Sequence, residues 1–268
     1  MLACCTCLVG TARADEAPAP VPPPDAELSG EEIYRRVLAN RHRAYFQKQR
    51  FISGDEGGGS SETELWVRWK DVRENGEPKR GSVSKTLSKY TSPRNVRGVG
   101  YLVVQKAEPP NDQFVYFPSA RRVRRVNLGE SILGTDFSLE DIVPRELENS
   151  SHERRPDEAV DETPCFVIDV VPKPATGSQY SKLRIYVEKS HYVPIRTRYW
   201  SQDEIEIKEY RSDASGIEEF EGVWLTREGT MRDLVHNSHT TVRVLEIEPN
   251  AEIKDSAFSE RSLISRSR

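Results

Sequence analysis

Residues 183–188 read Leu-Arg-Ile-Tyr-Val-Glu, and residues 193–198 read Val-Pro-Ile-Arg-Thr-Arg. In the first segment, Leu183, Ile185 and Val187 alternate with polar or charged neighbours. This period of two is typical of a strand with one apolar face and one face in contact with water. Strands of this kind predict an antiparallel sheet, because parallel sheets are usually buried on both faces.

The same alternation recurs in residues 65–70 and 205–208. Turn-forming residues separate the apolar segments, at residues 74–76, 109–112, 172–174 and 213–216. Regularly spaced strands of about 8–11 residues favour a barrel or a curved sheet. No strand–helix–strand rhythm appears, which argues against a parallel sheet. The sequence therefore predicts a mainly β protein built on a single curved antiparallel sheet.

The composition sets the broad class of the protein. The chain has 268 residues, of which 31% are charged and 36% are hydrophobic, with a formal net charge of -4. A β-rich chain of this length is compatible with one domain. The charge gives no basic footprint, so nucleic acid is not expected as a partner. No long apolar run occurs after residue 20, so no membrane-spanning segment is expected there.

The chain divides into four regions. Residues 1–14 resemble the end of a secretory signal peptide, since Ala12-Arg13-Ala14 fits a cleavage site; the absence of a basic start suggests truncation. Residues 15–27 form a linker rich in Pro and Ala. We expect residues 28–264 to form the folded domain and residues 265–268 a polar tail. The protein is therefore predicted to be exported.

Several local signals complete the outline. Ser29 and Glu32 make a capping box at the start of a helix predicted to end near Asn40. Residues 127–143 predict a loop leading into a short helix, and residues 146–163 a charged surface excursion. A last helical turn is expected at residues 255–258. Cys165, the only cysteine after the leader, lies in an apolar run and is expected to be a buried strand residue.

Five stretches in a fixed order carry a family resemblance: residues 90–98 (Tyr-Thr-Ser-Pro-Arg-Asn-Val-Arg-Gly), 100–104 (Gly-Tyr-Leu-Val-Val), 114–118 (Phe-Val-Tyr-Phe-Pro), 121–125 (Arg-Arg-Val-Arg-Arg) and 131–141 (Ser-Ile-Leu-Gly-Thr-Asp-Phe-Ser-Leu-Glu-Asp). With them the chain resembles the LolA-like family of outer membrane lipoprotein-sorting proteins, relatives of LolA, LolB and the N-terminal domain of RseB.

The resemblance implies an incomplete β-barrel, a half-barrel closed by a helical lid, with an apolar interior that holds acyl chains. It implies a monomeric periplasmic carrier, which moves lipids or lipoproteins towards the outer membrane. The alternative is a lipid-sensing or accessory subunit of a transporter or signalling complex. The expected partners are an acyl chain and either an RND/MMPL-type inner-membrane transporter or a Lol-type component.

A cavity for acyl chains needs an apolar lining, since each buried methylene contributes about 0.8 kcal/mol. The residues predicted to face inward and line it are Leu65, Val67, Trp69, Phe114, Tyr116, Leu183, Ile185, Val193, Ile195, Ile205 and Ile207. For any one of them, ordinary core packing is the competing interpretation.

The densest basic cluster is a second candidate site, predicted to contact lipid phosphates or an acidic partner through Arg121, Arg122, Arg124 and Arg125. The competing interpretation is a solvated edge strand paired with three acidic residues of the next segment, Asp136, Glu140 and Asp141. That segment is predicted to act as a lid or latch through Asp136, Phe137, Glu140 and Asp141.

Enzymatic motifs are missing from the sequence. No nucleophile elbow, zinc-protease motif or phosphate-binding loop occurs, so no catalytic residue, cofactor or metal is predicted and the protein is not expected to be an enzyme. His236 and His239 have a spacing seen in metal sites. Without a convincing third ligand they are interpreted as part of a polar turn.

Overall fold

The computed structural model describes residues 28–265. The predicted signal peptide, the linker and the last three residues of the predicted tail lie outside this range. The chain begins with helix α1, Gly30–Ala39, whose cap is Ser29: its side chain accepts a hydrogen bond from the backbone N–H of Glu32 at 3.1 Å. Ile33 is fully buried on the inner side of this helix. The predicted first helix is confirmed.

Fifteen strands follow within the described residues. Their bounds are β1 Ala44–Asp55, β2 Ser60–Asp71, β3 Ser82–Ser92, β4 Gly100–Lys106, β5 Asp112–Phe117, β6 Arg122–Arg125, β7 Ser150–Val160, β8 Thr163–Pro172, β9 Tyr180–Glu188, β10 Pro194–Ser201, β11 Glu206–Arg211, β12 Ile217–Phe220, β13 Val223–Thr226, β14 Glu228–Asp233 and β15 Ser238–Pro249. Two short helices complete the fold, α2 Leu139–Ile142 and α3 Glu260–Ile264.

Thirteen of these strands form one antiparallel sheet in the order β6-β5-β4-β3-β2-β1-β15-β14-β11-β10-β9-β8-β7. The sheet consists of two meanders that meet where the first strand, β1, pairs with the last, β15. Its two outermost strands, β6 and β7, pair on one side only within residues 28–265, so the sheet remains open. The predicted mainly β class with one large antiparallel sheet is confirmed.

The two faces of the sheet are covered differently. We call the inner face the one that carries the largest apolar cluster, which also receives α1 and the segment around α2. The opposite, outer face carries two smaller clusters. One is covered by the β12–β13 hairpin and contains Cys165, which is buried as predicted. The other is covered by the C-terminal residues around α3 and contains Trp66.

Residues 146–163 differ from the expectation. Instead of a surface excursion, most of them form β7, which pairs with β8 along the edge of the sheet. Pro156 falls where the register shifts, between Arg155 and Glu158. A proline is tolerated at a bulge of an edge strand, because no second neighbour needs its missing N–H. The charged residues that suggested a loop are typical of a protected sheet edge.

Other local predictions hold with small changes. The turn at residues 74–76 is present, with Asn75 and Gly76 both at positive φ. The helical turn near the C-terminus is a 3-10 helix, Asp255–Ala257. It is followed by α3, which the sequence did not predict. α3 begins after Ser259, whose side chain accepts from the backbone N–H of Ser262.

Candidate functional site: the lid and the cavity beneath it

Residues 127–145, here called the lid segment, cross the inner face and contain α2. A capping interaction holds the start of this helix: the backbone N–H of Ser138 donates to Asp141 Oδ2 at 2.7 Å. Phe137 packs edge-to-face against Phe51, with ring centroids 5.8 Å apart, and against Tyr210 at 6.4 Å. The aromatic contacts therefore place the lid segment against strands from both meanders.

Asp136 ties the lid segment to the last strand of the sheet. Its carboxylate accepts hydrogen bonds from the hydroxyls of Ser238 and Thr240. Its backbone N–H donates to the Thr240 hydroxyl at 3.0 Å. Thr240 is fully buried, so this contact is shielded from water and from competing hydrogen bonds.

Asp141 provides the second anchor, and its side chain is completely buried. One oxygen accepts from the Tyr180 phenol at 2.7 Å, and the other lies 3.4 Å from Lys208 Nζ. Lys208 also donates to the carbonyl oxygen of Asp136 at 2.8 Å. Burial, reinforced by the neighbouring Asp141 charge, raises the pKa of Tyr180 well above its ordinary value. The phenol therefore remains a proton donor at physiological pH.

Glu140 provides a third anchor at the other side of α2. It accepts from Arg145 at 2.7 Å, from the backbone N–H of Gln179 at 3.0 Å and from the hydroxyl of Ser178. Two tyrosines hold the earlier part of the lid segment. Tyr90 donates to the carbonyl oxygen of Leu133, and the Leu133 N–H donates to the Tyr101 hydroxyl at 2.9 Å.

Between the lid segment and the inner face lies a cavity of about 320 Å³. Its volume falls near the lower end of the range of ligand pockets, about 300–1,000 Å³. The lining combines aromatic and aliphatic side chains with few polar groups: Gln49, Phe51, Phe137, Asp141, Ile142, Pro194, Thr197, Tyr199, Tyr210 and Val242. We call this space the inner cavity.

The predicted cavity residues are near the inner cavity only in part. Leu65, Val67, Leu183 and Ile185 belong to the inner cluster, and Ile207 packs against it. Trp69 is buried and stacks on Tyr45 at 5.6 Å. None of these six lines the cavity, so they pack the core around it.

Five predicted positions lie elsewhere, and their inward placement was wrong. Phe114 and Tyr116 pack on the outer face, in the cluster around α3. Val193 and Ile195 pack on the outer face beneath the β12–β13 hairpin. Ile205 is 61% exposed in the turn before β11.

Two physical causes explain these errors. In β5 both faces are apolar, so alternation could not tell which set points inward. In β10 the register shifts between Pro194 and Arg196. A bulge of this kind reverses which residues face the core, so Thr197 and Tyr199 line the inner cavity while Ile195 points outward.

The basic cluster does not pair with Asp136, Glu140 or Asp141. Arg124 lies 3.5 Å from Glu130, and Arg125 pairs with Asp112. The arginines of β6 therefore lie on an exposed edge strand, as the competing interpretation expected, but their acidic partners are different. The carboxylates of Asp136, Glu140 and Asp141 instead bind the partners described above, on strands distant in sequence.

His236 lies in the predicted polar turn. His236 Nδ1 lies 3.0 Å from Asp233 Oδ2, in an exposed turn between β14 and β15. No group of three or more His, Cys, Asp or Glu side chains is arranged to hold a metal ion in residues 28–265. Across the same residues, none of the helices combines the length and apolar character needed to cross a bilayer.

Solved structures with the same fold come from three bacteria. A protein described as an outer membrane lipoprotein-sorting protein domain from Vibrio parahaemolyticus matches with a TM-score of 0.79 and 20% identity, covering 88% of this chain and 98% of that one. A DUF1329 family protein from Desulfovibrio piger matches with a TM-score of 0.79 and 20% identity, covering 87% and 97%. A LolA superfamily protein from Nitrosomonas europaea matches with a TM-score of 0.68 and 15% identity, covering 87% and 98%.

Two family models match the sequence itself. One, described as "Protein of unknown function (DUF1329)", matches residues 7–129. The other, described as "Uncharacterized protein", matches residues 82–265, which is more than half of the chain. No curated protein matches the sequence significantly. The chain therefore belongs to this uncharacterized-protein family, and it has the fold of the LolA superfamily and of outer membrane lipoprotein-sorting protein domains.

Proposed function

We propose that this protein is a periplasmic carrier that binds the acyl chain of a lipid or lipoprotein in the inner cavity, without covalent chemistry. The observation that carries the proposal is a cavity with mainly apolar walls between the inner face and a lid segment anchored by polar contacts. The likeness to an outer membrane lipoprotein-sorting domain supports the choice of cargo class.

The energetics of the site suit sequestration and release. Transfer of hydrocarbon into an apolar space is favourable by about 0.8 kcal/mol per methylene. Phe137 and Ile142 form the lid side of the cavity, while Phe51 and Val242 form the sheet side. Movement of the lid segment therefore changes the apolar surface offered to a chain. The lid anchors are hydrogen bonds and two ion pairs, which can break individually without unfolding the sheet.

A filling substitution tests this proposal. Val242→Trp inserts an indole into the inner cavity, and Ile205→Trp, at an exposed position in the turn before β11, is the matched control. The measurement is binding of a neutral fluorescent monoacylglycerol. We expect Val242→Trp to weaken binding about ten-fold, the equivalent of about 1.4 kcal/mol. Ile205→Trp should bind as the unmodified protein does.

Native mass spectrometry of protein purified from a bacterial periplasm gives an independent readout. Retained acyl or phospholipid mass, lost in Val242→Trp, supports the carrier. Protein that is always empty and does not bind the probe contradicts it. Stable co-purification of the empty protein with an inner-membrane protein would favour the role of an accessory subunit.

A further inference from the structure

The outer face carries a second, larger groove, of about 940 Å³, on the side of the sheet opposite the inner cavity. Its walls come from β2, β3 and β5, the β3–β4 loop, the β5–β6 turn and the end of α3. The lining residues are Trp66, Lys89, Tyr90, Thr91, Arg94, Arg97, Gly98, Tyr116, Pro118, Arg121, Ile264 and Ser265. We call it the outer groove.

The charge of the outer groove is one-sided. Four lining residues are cationic, namely Lys89, Arg94, Arg97 and Arg121, and no lining residue is acidic. None of the four forms an ion pair with a carboxylate in the described part of the chain. Arg97 Nε donates to the carbonyl oxygen of Thr91 at 3.0 Å. This acceptor is neutral, so it does not compensate the charge of the guanidinium group.

Lys89 is unusual among these cations because its exposed fraction is only 5%. Its ammonium donates to the carbonyl oxygen of Ser265. Burial, together with repulsion from Arg68, lowers the pKa of Lys89. A buried cation without a counter-ion is unfavourable, so an anion placed here would be stabilised.

The same groove has an apolar side. Trp66 and Tyr116 belong to the outer-face cluster around α3. Ile264 is 48% exposed at the end of α3, and Pro118 lies in the turn before β6. An inorganic anion would satisfy the cations but leave these surfaces in water. A neutral hydrocarbon would cover the apolar side but leave Lys89 without a counter-ion.

Two loops fix the basic rim. Gly98 has φ +83°, a conformation that glycine adopts readily, and a Cβ at this position would lie 3.2 Å from Pro118 Cγ. The β3–β4 loop therefore lies directly against the β5–β6 turn. This contact places Arg97 and Arg121, which are 24 positions apart by their residue numbers, on the same rim of the groove.

We propose that the outer groove is a binding site for an anionic amphiphile, a single-chain lipid with a phosphate headgroup. The headgroup lies among Lys89, Arg94, Arg97 and Arg121, and the chain covers Trp66, Tyr116 and Ile264. The site is separate from the inner cavity, so it does not depend on the carrier function proposed above. It also revises the sequence-based prediction, because Arg121 acts with residues of another loop and not with Arg122, Arg124 and Arg125.

The test measures binding of dodecyl phosphate, below its micelle concentration and at constant ionic strength, by isothermal titration calorimetry. The variant carries Arg94→Gln, Arg97→Gln and Arg121→Gln. We expect its affinity to fall about ten-fold or more, since charge-assisted hydrogen bonds to an anion are stronger than those between neutral groups. Binding of the neutral monoacylglycerol should not change, because that probe reports on the inner cavity.

The matched control carries Arg122→Gln, Arg124→Gln and Arg125→Gln, the same charge change on the adjacent strand. Its affinity for dodecyl phosphate should stay within about two-fold of the unmodified protein, as expected for screened surface charges. Equal losses in both triple variants would mean general attraction of anions and would overturn the proposal. So would unchanged affinity in the first variant, or inorganic phosphate binding as tightly as dodecyl phosphate.

A pair of single variants tests the proposal independently, in case the triple variant of the outer groove does not fold. Ile264→Glu places a negative charge in the outer groove at an exposed position, and Ile205→Glu makes the same change on an exposed turn far from the groove. We expect Ile264→Glu alone to weaken dodecyl phosphate binding. If both bind as the unmodified protein does, the outer groove is not the site.

Discussion

The phenol of Tyr180 donates a hydrogen bond to Asp141 Oδ1 over 2.7 Å and thereby joins β9 to the lid segment. The two residues are 39 positions apart in the sequence, and both side chains are shielded from water. A buried carboxylate is unfavourable unless it is paired and hydrogen-bonded. The position of the lid segment against the inner face therefore depends on this contact and on the ion pair with Lys208.

Tyr180→Phe removes the hydroxyl and leaves one Asp141 oxygen without this donor. We expect the free energy of unfolding to fall by about 1–3 kcal/mol, the cost of an unsatisfied buried acceptor. Urea denaturation measures the loss, and hydrogen exchange should show faster exchange in the lid segment. Tyr186→Phe, beneath the β12–β13 hairpin, is the control and should leave exchange in the lid segment unchanged. Unchanged exchange in Tyr180→Phe would contradict the role of this bond.

Lys208→Met removes the cation beside Asp141. Loss of one partner from a buried ion pair leaves an uncompensated charge, and we expect a destabilisation of about 3 kcal/mol in urea denaturation at pH 7. Adding Asp141→Asn removes that charge, so the double variant should be more stable than Lys208→Met alone. A double variant that is the less stable of the two would show that the hydrogen bonds Asp141 accepts from Ser138 and Tyr180 outweigh the cost of its unpaired charge.

Gly229→Ala tests the packing behind the inner cavity. A Cβ at Gly229 would lie 2.1 Å from the hydroxyl oxygen of Tyr210, which lines the cavity. Tyr210 would have to move, and we expect a destabilisation of about 1–3 kcal/mol, typical of overpacking. The control is Gly216→Ala, where a Cβ meets open space. A thermal melt compares the two variants, and equal midpoints would argue against close contact at Tyr210.

His152 predicts a dependence of stability on pH. It stacks on Tyr34 at 4.4 Å between ring centroids, and burial lowers its pKa to about 4. The unfolded chain, with an ordinary histidine pKa of about 6.5, takes up the proton first. Stability from this group is therefore full above pH 6.5 and is lost as the pH falls towards 4, with a change of about 1–2 kcal/mol after allowance for partial exposure.

Urea denaturation between pH 4 and pH 7 checks this expectation. His152→Gln should flatten the profile in the acidic range. His236→Gln should act in the opposite sense, because Asp233 raises the pKa of His236 and the protonated form stabilises the folded state at low pH. A profile that is the same with and without His152 would contradict the assignment.

The class of the fold could be predicted from alternation alone, because the strands with one wetted face repeat it clearly. Which face of a strand points inward was harder to predict. β5 is apolar on both sides, so alternation does not show which side faces inward. Its outer side is covered by α3, an element with only five residues. In β10, the bulge after Pro194 changes the register, and no residue type in the sequence predicts that bulge.

The binding surfaces depend on contacts between distant segments, which a sequence pattern does not record. The acidic motif of the lid segment was recognised, but its partners Tyr180, Lys208 and Thr240 lie on three separate strands. The outer groove joins Lys89 and Arg97 to Arg121 only because Gly98 allows two loops to touch. The adjacent arginines of residues 121–125 form a pattern that the sequence shows directly. Cations that are isolated in different segments form no such pattern.

The pairing of β1 with β15 has a consequence for how the chain acquires its structure. The two meanders cannot pair with each other until β15 has been synthesised, so a nascent chain is still divided into two incomplete halves. Pairing of the first strand with the last raises contact order, and a high contact order slows folding. A chain without β15 should therefore lose the pairing between the two meanders, because β15 is the strand that joins β1 to β14.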